Sequence, residues 1–153
     1  MNAGNSEPPR LLLLEEHALL RTTIAGVARQ LGLARVHELA RADAVLPLLK
    51  EVPIDGLLVT LDCNGHTLAL LDAIRLGATP CPASLPVAVM TADCDSELAK
   101  RLRALDVRRV ILKPFKAKTA LETIAGLWRH ADDRVPSRHP AAVADACRPA
   151  SCQ

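Results

Sequence analysis

The stretch that decides the fold is LPVAVMTADCDSELAKRLRALDVRRVILKPF, residues 85–115. It contains two apolar strand-like runs, Pro86–Thr91 and Val107–Leu112. Between them lies a segment whose apolar residues recur at helical spacing, namely Leu98, Leu102 and Leu105. A strand, a helix and a second strand of these lengths predict two parallel strands joined by a right-handed crossover.

The same alternation extends through the chain on the amino-terminal side of this stretch. Further strands are predicted at Leu11–Leu14, Ala34–Glu38 and Asp55–Leu61. Helices are predicted at Leu20–Leu31, at Ala42–Glu51 (where Pro47 should kink or shorten the helix), at Thr67–Leu76 and, after the last strand, from Ala117 to about Arg129. The order is therefore (βα)5, which predicts an α/β fold with a doubly wound, five-stranded parallel sheet.

The composition is that of one packed domain. The chain has 153 residues, of which 50% are hydrophobic, which suffices for a core and is too apolar for a disordered protein. We expect a disordered N-terminus over residues 1–9, a domain over residues 10–130, and a disordered, proline-rich tail over residues 131–153.

Charge and composition exclude several classes of partner. The formal net charge is only +2 and aromatic residues are 1% of the chain, so neither a DNA-binding polycation nor a base-stacking surface is indicated. No run approaches the roughly 20 apolar residues of a membrane span, and the N-terminus lacks the layout of a signal peptide. Five cysteines without paired spacing predict free thiols. We expect a cytoplasmic protein that binds neither DNA nor membrane.

The residues that follow the predicted strands carry the chemistry. Ligands of open parallel sheets bind beyond the carboxyl ends of the strands. The residues predicted there are Glu15, Glu16, Thr60, Asp62, Thr91 and Lys113. Carboxylates can coordinate a divalent cation, while hydroxyl and ammonium groups can donate to phosphoryl oxygens.

Four stretches carry a resemblance to a known family. They are LLLLEEHALLR at Leu11–Arg21, DGLLVTL at Asp55–Leu61, LPVAVMTA at Leu85–Ala92 and ILKPF at Ile111–Phe115. Over about Arg10–Trp128 the chain resembles a response-regulator receiver domain of two-component signalling. The resemblance implies a flavodoxin-like fold with strand order 2-1-3-4-5.

The resemblance also implies roles for particular residues. Thr91 and Lys113 match the hydroxyl and the lysine that contact the phosphoryl group in receivers. The peptide bond before Pro114 is expected to be cis, as receivers usually have it. The acids Glu15 and Glu16 match the pair that holds magnesium.

The chain departs from the receiver pattern at several of these positions. The family usually has Asp second in its metal pair, and Glu is one methylene longer, which suits the strict geometry of Mg²⁺ poorly. The phospho-accepting Asp aligns with Thr60, whereas Asp62, a possible substitute acceptor, lies roughly 6.6 Å further along. The aromatic switch position is Val110. Magnesium binding is therefore expected to be weak or absent.

These departures predict an atypical, stand-alone receiver, or pseudo-receiver, which acts by protein–protein interaction and whose phosphorylation is lost or weak. It would have no enzymatic activity beyond, at most, phosphorylation of itself. The expected partners are a histidine kinase, a phosphotransfer protein or an effector protein, and a homodimer through the same face is an alternative. That face comprises the fourth helix, fifth strand and fifth helix, with candidate contacts Arg101, Arg108, Arg109, Val110 and Lys116.

Two other functions stay open from the sequence. In the first, Asp62 accepts a phosphoryl group while Glu15 and Glu16 hold Mg²⁺. In the second, the arginine-rich face binds a small anionic ligand or a cyclic dinucleotide.

Overall fold

The computed structural model describes residues 7–129 as alternating strands and helices. The strands are β1 (Arg10–Leu14), β2 (Arg35–Leu39), β3 (Gly56–Thr60), β4 (Val87–Thr91) and β5 (Arg109–Leu112). The helices are α1 (Ala18–Gln30), α2 (Val45–Glu51), α3 (His66–Arg75), α4 (Ser96–Ala104) and α5 (Ala117–Gly126). The segments predicted to be disordered, residues 1–9 and 131–153, lie outside the described residues except for residues 7–9. Within those three, the C=O of Pro9 accepts the N–H of Arg35 at 2.8 Å.

The strands of the described region form one parallel sheet in the order β2-β1-β3-β4-β5. This confirms the predicted flavodoxin-like, doubly wound fold. In the register, Leu12 pairs with Leu57, Leu57 pairs with Val87, and Val89 pairs with Val110. Because the strands are parallel, their carboxyl ends share one edge of the sheet.

Both faces of the sheet are covered by helices, which explains why the strands read as continuous apolar runs. Leu12 and Leu14 of β1 pack on one face with residues of α2, α3 and α4, whereas Leu11 and Leu13 pack on the other face with α1 and α5. Burying each of these leucines contributes roughly 1.5–3 kcal/mol to folding. Large buried partners include Leu71, Ile74 and Leu102 on the first face, and Ile24, Met90 and Ile124 on the second.

The α-helical part of the second helix is shorter than the predicted Ala42–Glu51, and Pro47 lies in its first turn. A 3₁₀ turn at Ala42–Ala44 precedes α2, whose α-helical part has 7 residues. Pro47 is the third residue of α2. The N–H groups of a first helical turn have no partner within the helix, so a proline costs little there.

Arg75 at the end of α3 fastens two loops on the amino-terminal side of the sheet. Its Nε donates to the C=O of Leu105 at 2.7 Å, and its Nη1 donates to the C=O groups of Ala83 at 2.6 Å and Leu85 at 2.8 Å. Asp106, next to Leu105, has a φ of 54°, a left-handed conformation that Asp tolerates better than most residues. One guanidinium thus holds the segment before β4 and the turn before β5.

Trp128 and Gly56 pack closely at the amino-terminal end of β3. The indole Nε1 of Trp128 donates to the C=O of Asp55 at 2.9 Å. A Cβ on Gly56 would lie 2.9 Å from Cδ2 of Leu127 and 3.0 Å from the Trp128 ring. Glycine at position 56 therefore allows the segment after α5 to pack against the start of β3.

Arg29 of α1 covers the outer edge of β2, which is an edge strand. The backbone groups of Arg35 and Leu39 bond to the β1 side, so the C=O of Val36 between them points outward. Arg29 Nη2 donates to that C=O at 2.7 Å, and its Nη1 lies 3.0 Å from a carboxylate oxygen of Glu38. The guanidinium therefore occupies an otherwise open acceptor at the sheet edge.

Two further observations bear on the sequence analysis. None of the helices in residues 7–129 has the length and apolar character that a membrane crossing requires. Cys63 and Cys81 carry free thiols, but Cys94 is disulfide-bonded. The expectation that every cysteine is free is therefore wrong for Cys94.

Candidate functional site

Four strand ends bring the predicted chemical residues to one edge of the sheet. Glu15 directly follows β1, Thr60 ends β3, Thr91 ends β4, and Lys113 directly follows β5. These strands are neighbours in the sheet. Residues that are 98 positions apart, Glu15 and Lys113, consequently meet.

The carboxylate of Glu15 is the centre of this edge, and its side chain is fully buried, at 0% exposure. Its Oε1 accepts hydrogen bonds from Thr60 Oγ1 and from Lys113 Nζ, each at 2.6 Å. Its Oε2 accepts the backbone N–H of His17 at 2.8 Å. One carboxylate therefore joins the ends of β1, β3 and β5.

The environment keeps Glu15 ionised. Burial by itself would raise the pKa of Glu15, but the hydrogen bonds from Lys113, Thr60 and the His17 backbone, with the charge of Lys113, outweigh burial and lower that pKa. A buried charge is tolerated when it is paired and its remaining lone pairs are hydrogen-bonded. Both conditions hold here, because Lys113 pairs with the carboxylate of Glu15 and each of its two oxygens accepts at least one hydrogen bond.

Glu16, the second acid of the predicted metal pair, has a different environment. It is exposed and lines an open cleft of about 640 Å³ that is bordered by the ends of β1 and β3, by α2 with the turn before it, and by α3. We call this the α2–α3 cleft. The two glutamates are therefore divided between a buried ion pair and a surface cleft.

The residues at this edge do not fit a magnesium site. Mg²⁺ requires several oxygen ligands in near-octahedral geometry at about 2.0–2.1 Å. Both oxygens of Glu15 already accept hydrogen bonds, and Lys113 supplies the neutralising charge. Within residues 7–129, no group of three or more His, Cys, Asp or Glu side chains could hold a metal ion.

Thr60 stands where the resemblance implies the phospho-acceptor. Its hydroxyl donates to Glu15, and its C=O accepts the hydroxyl of Thr67 at 3.0 Å. Thr60 therefore links the buried carboxylate to the first turn of α3.

Asp62 is turned towards α3. Its Oδ1 accepts the N–H of Thr67 at 2.9 Å, its Oδ2 accepts the N–H of His66 at 3.2 Å, and the same Oδ2 lies 3.1 Å from His66 Nδ1. Burial tends to raise the pKa of Asp62, but these backbone hydrogen bonds outweigh it and lower that pKa. The carboxylate thus satisfies the otherwise unpaired N–H groups at the start of the helix.

Thr91 and Lys113, the predicted phosphate-switch residues, are adjacent through their backbones. The N–H of Lys113 donates to the C=O of Thr91 at 2.8 Å, and the Lys113–Pro114 peptide bond is cis. Their side chains bond to different groups, because Thr91 Oγ1 donates to the C=O of Asp93 at 2.9 Å while Lys113 reaches Glu15. Thr91 thereby satisfies a carbonyl of its own loop.

The candidate partner residues differ in their partners and their exposure. Arg101 pairs with Asp72 of α3, whereas Arg108 Nη1 donates to the C=O of Leu127, at 2.7 Å, after α5. The two guanidinium groups are thus each engaged by a different part of the fold. Val110 was predicted on the partner face, but it is only 3% exposed and belongs to the core, since it points from β5 towards the helices. Arg109 and Lys116 are exposed.

The sequence analysis missed two residues that support this site. Arg21 of α1 donates from Nη1 to the C=O of Glu15 at 2.8 Å. Thr67 contacts both Thr60 and Asp62. The signal for Thr67 was available, because it is a polar residue on the buried side of α3, in register with Leu70, Leu71 and Ile74.

Comparison with known proteins yields one curated relative and many similar structures. The chemotaxis protein CheY of Pseudomonas aeruginosa is 26% identical over 120 residues, which cover 78% of this chain and 95% of that protein. No family model matches the chain.

Among solved structures, the non-phosphorylated receiver domain of HemR from Leptospira biflexa is 25% identical, with a TM-score of 0.67, and covers 80% of this chain and 98% of its own. HP1043, an orphan response regulator of H. pylori, shares the fold, with a TM-score of 0.70 and 20% identity, over 82% of this chain and all (100%) of its own. The chain is thus similar in sequence to CheY and to the HemR receiver domain, and it shares the fold of these response-regulator receivers and of HP1043.

Proposed function

We propose that the chain is a pseudo-receiver of two-component signalling, in which an internal carboxylate takes the place of the phosphoryl group as the partner of the switch lysine. The contact of 2.6 Å between Lys113 Nζ and Glu15 Oε1 carries this proposal. In the receivers that the chain resembles, the matching lysine contacts a phosphorylated aspartate. Here Thr60 aligns with that aspartate, and the lysine already has an anion to bind.

Charge at the site supports the loss of phosphorylation. A hydroxyl such as that of Thr60 cannot form an acyl phosphate. A phosphoryl group carries a charge of about −1.5 to −2, and at this edge it would lie beside the ionised, buried Glu15. Lys113 alone would then face two anions, and repulsion between charges at short range is strong where water is excluded.

Asp62 is the alternative acceptor. To reach the edge, its carboxylate would have to leave the N–H groups of His66 and Thr67, and losing such a cap costs about 1 kcal/mol. Because this cost is small, the capping role of Asp62 does not by itself exclude phosphorylation at that residue, and the experiment below tests it. Phosphorylation of Asp62 would also need Mg²⁺, and Glu15, one of the two acids expected to hold that ion, is already engaged by Lys113.

In this proposal the chain signals through protein–protein contacts in the cytoplasm and is not an enzyme. Its partners would be a histidine kinase, a phosphotransfer protein or an effector, and a homodimer through α4, β5 and α5 is the competing arrangement. The switch would be an equilibrium between two arrangements of the loop after Thr91 and of β5. The exposed Arg109 and Lys116 would contribute to that face.

Phosphorylation is tested by incubating the full chain with a small acyl phosphate and Mg²⁺ and then measuring the intact mass. We expect no added phosphoryl group, while a conventional receiver treated in parallel gains one. Matched variants are Asp62→Asn and Thr60→Ala. Phosphorylation of the wild type that Asp62→Asn abolishes and Thr60→Ala leaves unchanged would replace this proposal with the Asp62 alternative.

A further inference from the structure

We infer that the α2–α3 cleft binds a small ligand that combines a cationic group with an apolar body. The cleft has the volume of about 640 Å³ that is typical of small-molecule sites, which have mostly apolar walls and a few polar groups. It lies on the side of the sheet edge away from α4, β5 and α5.

The walls of the cleft supply an apolar surface. Leu14 at the end of β1, Leu46 of α2 and Leu70 of α3 line it. Leu46 is 41% exposed and therefore offers apolar surface that a ligand in the cleft would remove from water. Small side chains on the two facing walls leave the room for a ligand: Ala40 and Ala42 on one, Ala69 and Ala73 on the other.

The charges that line the cleft favour a cation. Three carboxylates, those of Glu16, Asp43 and Asp62, line the cleft together with the guanidinium of Arg41 and the imidazole of His66. Asp43 is held by Arg41 at 2.8 Å, and Asp62 is held by the start of α3. Glu16 accepts no hydrogen bond and forms no ion pair with any residue from 7 to 129. It is therefore the carboxylate that a cationic ligand would meet.

The cleft also borders the candidate switch. Thr60 lines it and donates to Glu15, the partner of Lys113. A ligand in contact with Thr60 would thus act on the ion pair, and this part of the inference rests on the proposed function. Binding itself does not depend on it.

The probe is benzamidine, which joins an amidinium to an aromatic ring, titrated into the ¹⁵N-labelled full chain and followed by NMR. Neutral benzamide and anionic benzoate are the matched comparison compounds. We expect amide shifts confined to the cleft, with benzamidine bound about five-fold more tightly than benzamide, the ratio that one exposed ion pair provides.

Variants assign the site. Glu16→Gln should remove the preference for benzamidine over benzamide, and Ala69→Leu should fill the cleft and abolish the shifts. Glu97→Gln, at an exposed carboxylate of α4, should change nothing. If Ala69→Leu does not fold, Glu16→Gln decides alone, because that residue is exposed.

The inference is overturned if benzamide and benzoate shift the same amides equally strongly, or if Glu16→Gln keeps the preference. Neither result would contradict the proposed function, which rests on the contact between Lys113 and Glu15. Conversely, phosphorylation of Asp62 in the wild type would overturn the proposed function but would not show that the cleft fails to bind benzamidine. The two conclusions can therefore fail separately.

Discussion

Replacing Lys113 by methionine tests the central ion pair. Lys113→Met removes the cation that binds Glu15, whose side chain is 0% exposed, while the side chain of Lys113 is itself 24% exposed. Breaking a buried pair by removing one partner costs about 3–5 kcal/mol. Because the lysine side of the pair is open to some water, we expect the lower end, about 3 kcal/mol of unfolding free energy at pH 7.

The difference in unfolding free energy between the wild type and Lys113→Met should depend on pH, because the two proteins hold Glu15 in different environments. In the wild type the folded-state pKa of Glu15 is below 4.5, so its contribution to stability is full above the unfolded pKa and is lost as the pH falls through the folded value. Without Lys113, its hydrogen bond and its charge no longer lower the pKa of Glu15, so the folded-state pKa in the variant should be higher than in the wild type and the variant should lose less stability as the pH falls. Urea unfolding at about pH 4 and pH 7 should show the gap to wild type narrowing at the lower pH.

Two controls isolate the pair. Lys116→Met removes an exposed lysine three residues away and should change stability by less than about 0.5 kcal/mol. Combining Lys113→Met with Glu15→Gln should recover much of the loss, since no unpaired charge stays buried. If Lys113→Met behaves like Lys116→Met at both pH values, the reasoning about the buried pair is refuted.

Three further predictions concern the frame around the site. Asp62→Ala should lower the unfolding free energy by about 1 kcal/mol and Asp62→Asn by less, since the amide oxygen can still accept the N–H groups of α3; equal losses in urea unfolding would contradict the capping role. Arg75→Met should cost about 2 kcal/mol by thermal or urea unfolding, because the part-buried carbonyls of Leu85 and Leu105 lose a charged donor; a loss within the range of an exposed arginine would contradict this. Gly56→Ala should cost about 1–3 kcal/mol and alter the emission of Trp128, the only tryptophan in the chain; unchanged emission would show that the contact at 2.9 Å with Leu127 is easily relieved.

The fold could be predicted because its determinants are local. Apolar runs such as Leu11–Leu14 and Pro86–Thr91 alternate with helical spacing, and few topologies accommodate that order. The meeting of the Thr91 and Lys113 segments followed from the fold, since parallel strands end at one edge.

The bonds of individual side chains could not be predicted from the sequence in the same way. Thr60 and Asp62 would share a side of a continuous strand, since side chains alternate, but β3 ends at Thr60 and the chain then turns into α3. The sequence gives no distances between residues far apart in the chain, so it could not show that Lys113 pairs with Glu15 and not with Glu16 or Asp62. Arg101 and Arg108 were predicted as contacts of one face, but the sequence could not show that Arg101 pairs with Asp72 while Arg108 donates to the C=O of Leu127.

The guanidinium of Arg29 at the border of β2 has a consequence for association. An extended peptide can lengthen a sheet only where an edge strand offers free carbonyl and amide groups. At the outer edge of β2, an added strand would first have to break the hydrogen bond from Arg29 to the Val36 carbonyl and the ion pair of Arg29 with Glu38. Helix α1, which covers one face of the sheet, thus also supplies the side chain that hinders edge-to-edge association through β2.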